Sequence, residues 1–284
     1  MKKIILILLL LNTLILAKIN TIVSILPEKT FVHAIGGDKV NITLMVLPGN
    51  SPHTYEPKPS QMKDVAKADI YFAIGVEFEN VWLHKFKDLN KKMQVSDLSE
   101  GIEKLPMASH HDAESTDIQK KKAKGTDPHI WTTPANVKMI AKRIYETLVK
   151  IDKINESYYK KNYEAFISRV EYTDRKIQNI LSVKSKGSKF MVFHPSWGYF
   201  AKAYGLVQLP VEIEGKSPKP KVLISLIKEA KEEHVSAIFT QPEFSDAIAK
   251  VLANELHIKV IKVSPLSPNW SENLLKIANA IAGQ

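Results

Sequence analysis

The sequence predicts an α/β protein of two similar lobes, each built on a mostly parallel sheet, joined by one long helix. Three observations predict it. Short β-branched runs alternate with helical segments from residue 19 to 98. One helical pattern then runs from about 155 to 181, where Tyr159, Tyr163, Phe166, Val170, Ile177 and Ile180 keep a near 3.6-residue repeat. The alternation resumes at 189 and continues to 282. Such alternation argues for βαβ units, because parallel neighbours need a crossover and a helix supplies it.

The elements follow in order. Residues 1–17 carry Lys2 and Lys3, an apolar run over 4–11 extended by Leu14, Ile15 and Leu16, and small Ala17, the pattern of a cleavable secretory leader. The run is short for a ~20-residue span, and Asn12 and Thr13 interrupt it. The first lobe is placed at 18–150. Residues 19–26 are β-branched and stop at Pro27, a strand; residues 40–47 form another, ended by Pro48-Gly49-Asn50-Ser51-Pro52. A helix is expected over 60–68, a strand over 69–74 closed by Gly75, a helix over 78–89 and a short strand over 95–98. Residues 107–126 have no hydrophobic period and read as a polar loop, with His110, His111 and a lysine run. Pro134 opens a helix to 151, striped by Val137, Ile140, Ala141, Ile144 and Leu148. Residues 151–184 hold the long linking helix, ~40 Å at ~1.5 Å per residue. In the second lobe, 185–284, strands are expected over 189–193, 207–213, 236–240 and 259–263. The helices of that lobe are expected over 197–204, 221–233, 246–256 and 271–282.

Composition narrows the function. The 284 residues are 44% hydrophobic and 25% charged, an ordinary globular balance. The chain has no cysteine, which excludes a disulfide scaffold, an iron–sulfur centre, a cysteine zinc finger and thiol catalysis. It also excludes a lipid anchor at the leader cleavage point, so the expected product is a soluble exported protein cut after Ala17. The net charge of +10 invites an acidic partner such as nucleic acid. Export argues against that, and the lysine-rich loop accounts for part of the excess.

A transition metal here must be held by histidine and carboxylate. Of nine histidines, three stand in loops where α/β sheets bind ligands. His53 follows the strand 40–47 across its turn, and His194 comes directly after the strand 189–193. His129 lies in Asp127-Pro128-His129-Ile130-Trp131 before a helix, and prolines stiffen all three loops. Neutral imidazole suits zinc, and three make most of a tetrahedral shell. His33, His84 and His234 fall in helical segments and His257 at a helix end, where surface or packing roles suffice. His110 and His111 are either solvated loop residues or an auxiliary metal-capture pair.

The stretch Gly49-Asn50-Ser51-Pro52-His53-Thr54-Tyr55-Glu56-Pro57-Lys58-Pro59-Ser60 resembles the first ligand loop of the periplasmic metal-binding proteins of ABC transporters, the cluster serving zinc and manganese uptake. Asp127-Pro128-His129-Ile130-Trp131 resembles the second ligand motif. Phe193-His194-Pro195 with Tyr199-Phe200-Ala201 resembles the third. The resemblance implies two Rossmann-like lobes, a rigid connecting helix and a metal in the interlobe cleft. It implies His53, His129 and His194 as ligands, an inner-membrane permease with its ATPase as partner, a periplasmic location and a monomer. Histidine rather than carboxylate at 194 leans toward Zn²⁺, with Mn²⁺ the alternative. The family's usual fourth ligand is an Asp in Asp-Pro-Leu, and this chain has Ser264-Pro265-Leu266 instead. The fourth position then falls to water, directly or through Ser264, or to Glu214, Glu243 or Asp246.

Two function classes compete. One is a solute-binding protein that captures the metal and delivers it to a permease. The other is a zinc hydrolase, since three histidines plus water make a catalytic shell. No HExxH motif is present and no carboxylate stands in an obvious general-base place, so the transport class is favoured and the protein is not expected to be an enzyme.

Overall fold

The structure, a computed structural model, describes residues 18–108, 125–212, 218, 220–244 and 246–284. The expected leader, His110, His111 and Glu214 lie outside the described residues.

The first lobe runs β1 (Ile19–Val23), α1 (Leu26–Gly36), β2 (Val40–Leu44), α2 (Pro59–Val65), β3 (Ile70–Ala73), α3 (Glu77–Leu89) and β4 (Gln94–Asp97). Its strands are parallel in the order β2-β1-β3-β4. After α4 (Pro134–Ile151) comes the long α5 (Glu156–Leu181). The second lobe repeats the scheme with β5 (Lys189–Val192), α6 (Gly198–Ala203), β6 (Val207–Pro210) and α7 (Pro220–Glu232). It continues with β7 (Ala237–Thr240), α8 (Ala247–Leu256) and β8 (Lys259–Lys262), in the parallel order β6-β5-β7-β8. α9 (Trp270–Ala282) closes the chain. The two sheets therefore share one topology, although no repeat is visible in the sequence.

The expected α/β fold with two sheets and a long helix is present, and all described strand pairs are parallel. Local readings need correction. The strands expected over 40–47 and 207–213 end at Leu44 and Pro210, where the chain turns into loops. The strand expected over 19–26 ends at Val23, because Pro27 sits in the first turn of α1 instead of merely stopping a strand. His234 lies just past α7 with φ of 48°, and not within a helix.

Central strands of parallel sheets are buried on both faces and read as apolar runs, whereas the edge strands β2, β4 and β8 are partly exposed and carry polar residues. Ile70–Ala73 and Ala237–Thr240 are buried at every position. One core cluster fills the first lobe, takes in α4, α5 and α9, and reaches the near side of the second sheet. A smaller cluster lies between that sheet and α7 and α8. α9 thus returns from the second lobe to complete the core of the first, where Trp270 meets Phe31 edge-on at 5.9 Å. Two indoles cross-link the segments: Trp131 Nε1 donates to the Pro265 carbonyl at 2.7 Å, and Trp270 Nε1 donates to the Trp131 carbonyl at 2.7 Å.

Candidate metal centre

Every residue of the site follows the C-terminal end of a strand or opens a helix beside one, where parallel sheets leave a crevice. His194 is two residues past β5, and the loop Gln241–Phe244 follows β7. His53 lies on the long turn after β2, and Glu77 opens α3 just after β3. His129 precedes a 3₁₀ turn, Ile130–Thr132, at the entry to α4.

The structure brings the three histidines together. The His129 and His194 ring centroids stand 5.4 Å apart at 73°, and those of His53 and His194 stand 5.6 Å apart at 79°. Two imidazoles on one tetrahedral zinc, at ~2.0 Å Zn–N, hold their centroids roughly 5 Å apart. Among the described residues no three ligating groups are already closed on one point as a bound ion would draw them. The spacing leaves a short inward adjustment, and His53, the exposed one, is the freest to make it. The cavity between them is small, ≈ 30 Å³, room for two or three water-sized spheres at ~10–15 Å³ each.

Each ring meets a carboxylate at Nδ1. Asp127 Oδ1 lies 2.8 Å from His129 Nδ1 and also accepts the His129 backbone N–H at 2.9 Å. Glu212 Oε1 lies 2.6 Å from His194 Nδ1. Glu77 Oε1 lies 3.5 Å from His53 Nδ1, a looser contact at a more exposed place. A carboxylate at Nδ1 fixes the tautomer with its proton there, so the Nε2 lone pair is the one left for a metal. His194 Nε2 is buried with no hydrogen-bond partner. An orphaned acceptor of that kind is costly unless something binds it.

The supports are themselves supported. Gln241 Nε2 donates to the His194 carbonyl at 3.1 Å and to Ser196 Oγ at 3.2 Å, and Phe244 stacks on the His194 ring at 5.0 Å. Tyr199 Oη donates to the Asp127 carbonyl at 3.0 Å. The Glu77 turn is held from below: Glu79 accepts from Ile74 N–H at 2.9 Å, Gly75 N–H at 2.8 Å and Ser24 Oγ at 2.5 Å. Burial pushes the Glu79 carboxyl up to about 7. Glu28 beside it is raised well above the carboxylate range, first by burial and then by the Glu79 charge.

The fourth-position candidates separate. Glu243 lines the cavity with the three histidines. Ser264 lines the neighbouring cavity instead. Asp246 is turned to Lys250 at 3.1 Å and Lys262 at 3.6 Å, and the Lys250 bond lowers its carboxyl. Asp127, Glu77 and Glu212 were not singled out from the sequence as site residues. Asp127 had a signal, standing two residues before a histidine. Glu212 had only its place after a strand end.

Fold and site define a class: a two-lobed, all-parallel α/β binding protein with imidazoles from both lobes facing one cleft. Comparison with known proteins makes this specific. Residues 22–282 match the family model described as zinc-uptake complex component A, periplasmic. The chain belongs to that family. A crystal structure of ZnuA matches with a TM-score of 0.84 and 38% identity, over 94% of this chain and 98% of that one. The high-affinity zinc uptake system protein ZnuA of Bacillus subtilis is 27% identical over 85% of this chain and 76% of its own. A manganese ABC transporter substrate-binding lipoprotein of Streptococcus anginosus is 26% identical over 80% of this chain and 73% of its own.

Proposed function

We propose that the chain captures Zn²⁺ between its lobes on His53, His129 and His194 and delivers it to a membrane permease driven by an ATPase. The observation that carries this reading is the paired arrangement at the two buried rings, each with a carboxylate at Nδ1, and with His194 Nε2 left buried and unpartnered. Three nitrogen donors favour zinc over manganese, which prefers oxygen. Binding is the whole activity, and no bond is made or broken. The first seventeen residues serve as an export leader cut after Ala17, and the exported protein acts as a soluble monomer in the periplasm.

The test is metal analysis of protein stripped of metal and then offered zinc and manganese together. One zinc per chain, lost in His194→Ala, is the expected outcome. Retention of manganese in preference to zinc would overturn the choice of metal, and retention of zinc by His194→Ala would overturn the site.

A further inference from the structure

Three imidazoles fill three positions of a tetrahedral shell and leave the fourth open. The carboxylates bonded to the rings are not free to fill it. Asp127, Glu212 and Glu77 are each directed at an Nδ1 atom. Glu243 stands apart from them. It lines the histidine cavity and also the larger neighbouring cavity of ≈ 350 Å³, so its side chain has space on two sides. Its hydrogen-bond partner is a neutral hydroxyl, Ser264 Oγ, donating to Glu243 Oε1 at 3.2 Å.

That hydroxyl is itself fixed. Ser264 Oγ accepts the Leu266 backbone N–H at 3.1 Å, and the Ser264 carbonyl accepts from Asn273 Nδ2 at 2.9 Å. The backbone that carries Glu243 is fixed as well. Gln241, two residues before it, bonds the His194 carbonyl, and Phe244, the next residue, stacks on the His194 ring. The loop is clasped to one of the three imidazoles, while among the described residues the Glu243 carboxylate is held by a single neutral hydroxyl, a contact that a divalent cation outcompetes.

Resting on the three-histidine reading, we infer that Glu243 is the fourth ligand of the captured ion and that Ser264 is its parking place. In the metal-free protein Ser264 holds the carboxylate at the boundary of the two cavities. When the ion arrives the carboxylate leaves the hydroxyl, turns into the histidine cavity and completes a tetrahedral shell of three nitrogens and one oxygen. Ser264 is then a positioning residue and not a ligand.

The experiment compares the wild type with Glu243→Gln, Glu243→Asp and Ser264→Ala, by zinc titration against a competing chelator and by the visible spectrum of the cobalt(II)-loaded protein. Glu243→Gln is expected to weaken zinc roughly 100-fold and to change the cobalt spectrum, since a ligand oxygen is replaced. Glu243→Asp keeps the charge and is expected to recover part of the affinity. Ser264→Ala is expected to change affinity by no more than about tenfold and to leave the cobalt spectrum as in wild type. Equal melting of the metal-free variants shows that folding is intact. Wild-type affinity in Glu243→Gln overturns the inference. So does weakened binding with an unchanged cobalt spectrum, because that makes Glu243 a distant charge. If Glu243→Gln does not fold, Glu243→Asp decides: an unaltered zinc affinity there overturns the inference. In each of these cases zinc lost by His194→Ala leaves the three-histidine reading standing, whereas a wild type that binds no zinc removes that reading first.

Discussion

Glu212 and His194 form the shortest of the three histidine–carboxylate contacts, with 2.6 Å between carboxylate oxygen and Nδ1, while the opposite nitrogen of the same ring is buried and unpartnered. The pair is assembled across the sheet. Parallel register sets Val192 against Pro210, and each chain then travels two residues further to place its side chain. The carboxylate therefore decides which nitrogen faces the cavity.

Glu212→Gln tests this directly. The amide can offer its NH₂ to Nδ1, which favours the tautomer with the proton on Nε2, where the metal has to bind. Zinc affinity is expected to fall about 10- to 100-fold with the fold intact. A chelator-competition titration checks it, and near wild-type affinity would remove the orienting role.

Gly198 makes a prediction without touching any ring. A Cβ there would stand 2.5 Å from Asp127 Oδ2 and 3.2 Å from Gln208 Nε2. Gly198→Ala therefore has to displace the carboxylate that orients His129, or shift the start of α6. Overpacking of this kind costs about 1–3 kcal/mol, and zinc affinity is expected to drop on the order of tenfold as His129 loses its support. Thermal melting of the metal-free protein and zinc titration read the two effects separately.

His53 and His194 are expected to differ in how much they matter. The His53 side chain is 35% exposed against 9% for His194, and its contact to Glu77 is 3.5 Å. A less constrained ligand contributes less, because part of its binding energy is spent on ordering it. Calorimetry should show His53→Ala keeping weakened zinc binding and His194→Ala losing it. Equal losses would mean that the rim ligand is as well organised as the buried one.

Stability of the metal-free protein should carry the signature of Glu79. Its carboxyl lies at about 7 in the folded chain against an ordinary 4.5, chiefly through burial. The folded state thus binds the extra proton between those values, so the Glu79 contribution to stability falls as pH rises from about 4.5 to about 7 and is constant outside that window. The loss is a few kcal/mol at most. Denaturant unfolding across this range should show the slope in wild type and its reduction in Glu79→Gln. An identical slope in both would remove Glu79 as its source.

Much of the fold was legible because helices announce themselves by period. Pro134–Ile151 matches its expected bounds, and the 26-residue α5 begins within one residue of its expected start. The β1–α1 boundary was not legible, since Ile25 and Leu26 continue an apolar run and proline serves equally as strand end and helix start. The same division holds in the site. Prolines and strand ends flagged His53, His129 and His194, but the partner of His194 lies eighteen residues away, joined to it by strand register. Asn273, which fixes Ser264, sits on α9 and meets that loop only through the tertiary fold.

The return of α9 also sets an order of events during synthesis. A chain emerges from its N-terminus, so the loops bearing His53 and His129 appear long before Trp270, Leu274, Ile277 and Ile281, which belong to the core that supports them. A nascent or truncated chain carries those two imidazoles without the packed core behind them, and without the Trp270 bond to the Trp131 carbonyl. A chain that ends before this thirteen-residue helix is therefore expected to hold the His53 and His129 loops less firmly, and any metal affinity they confer should arrive only once α9 has packed.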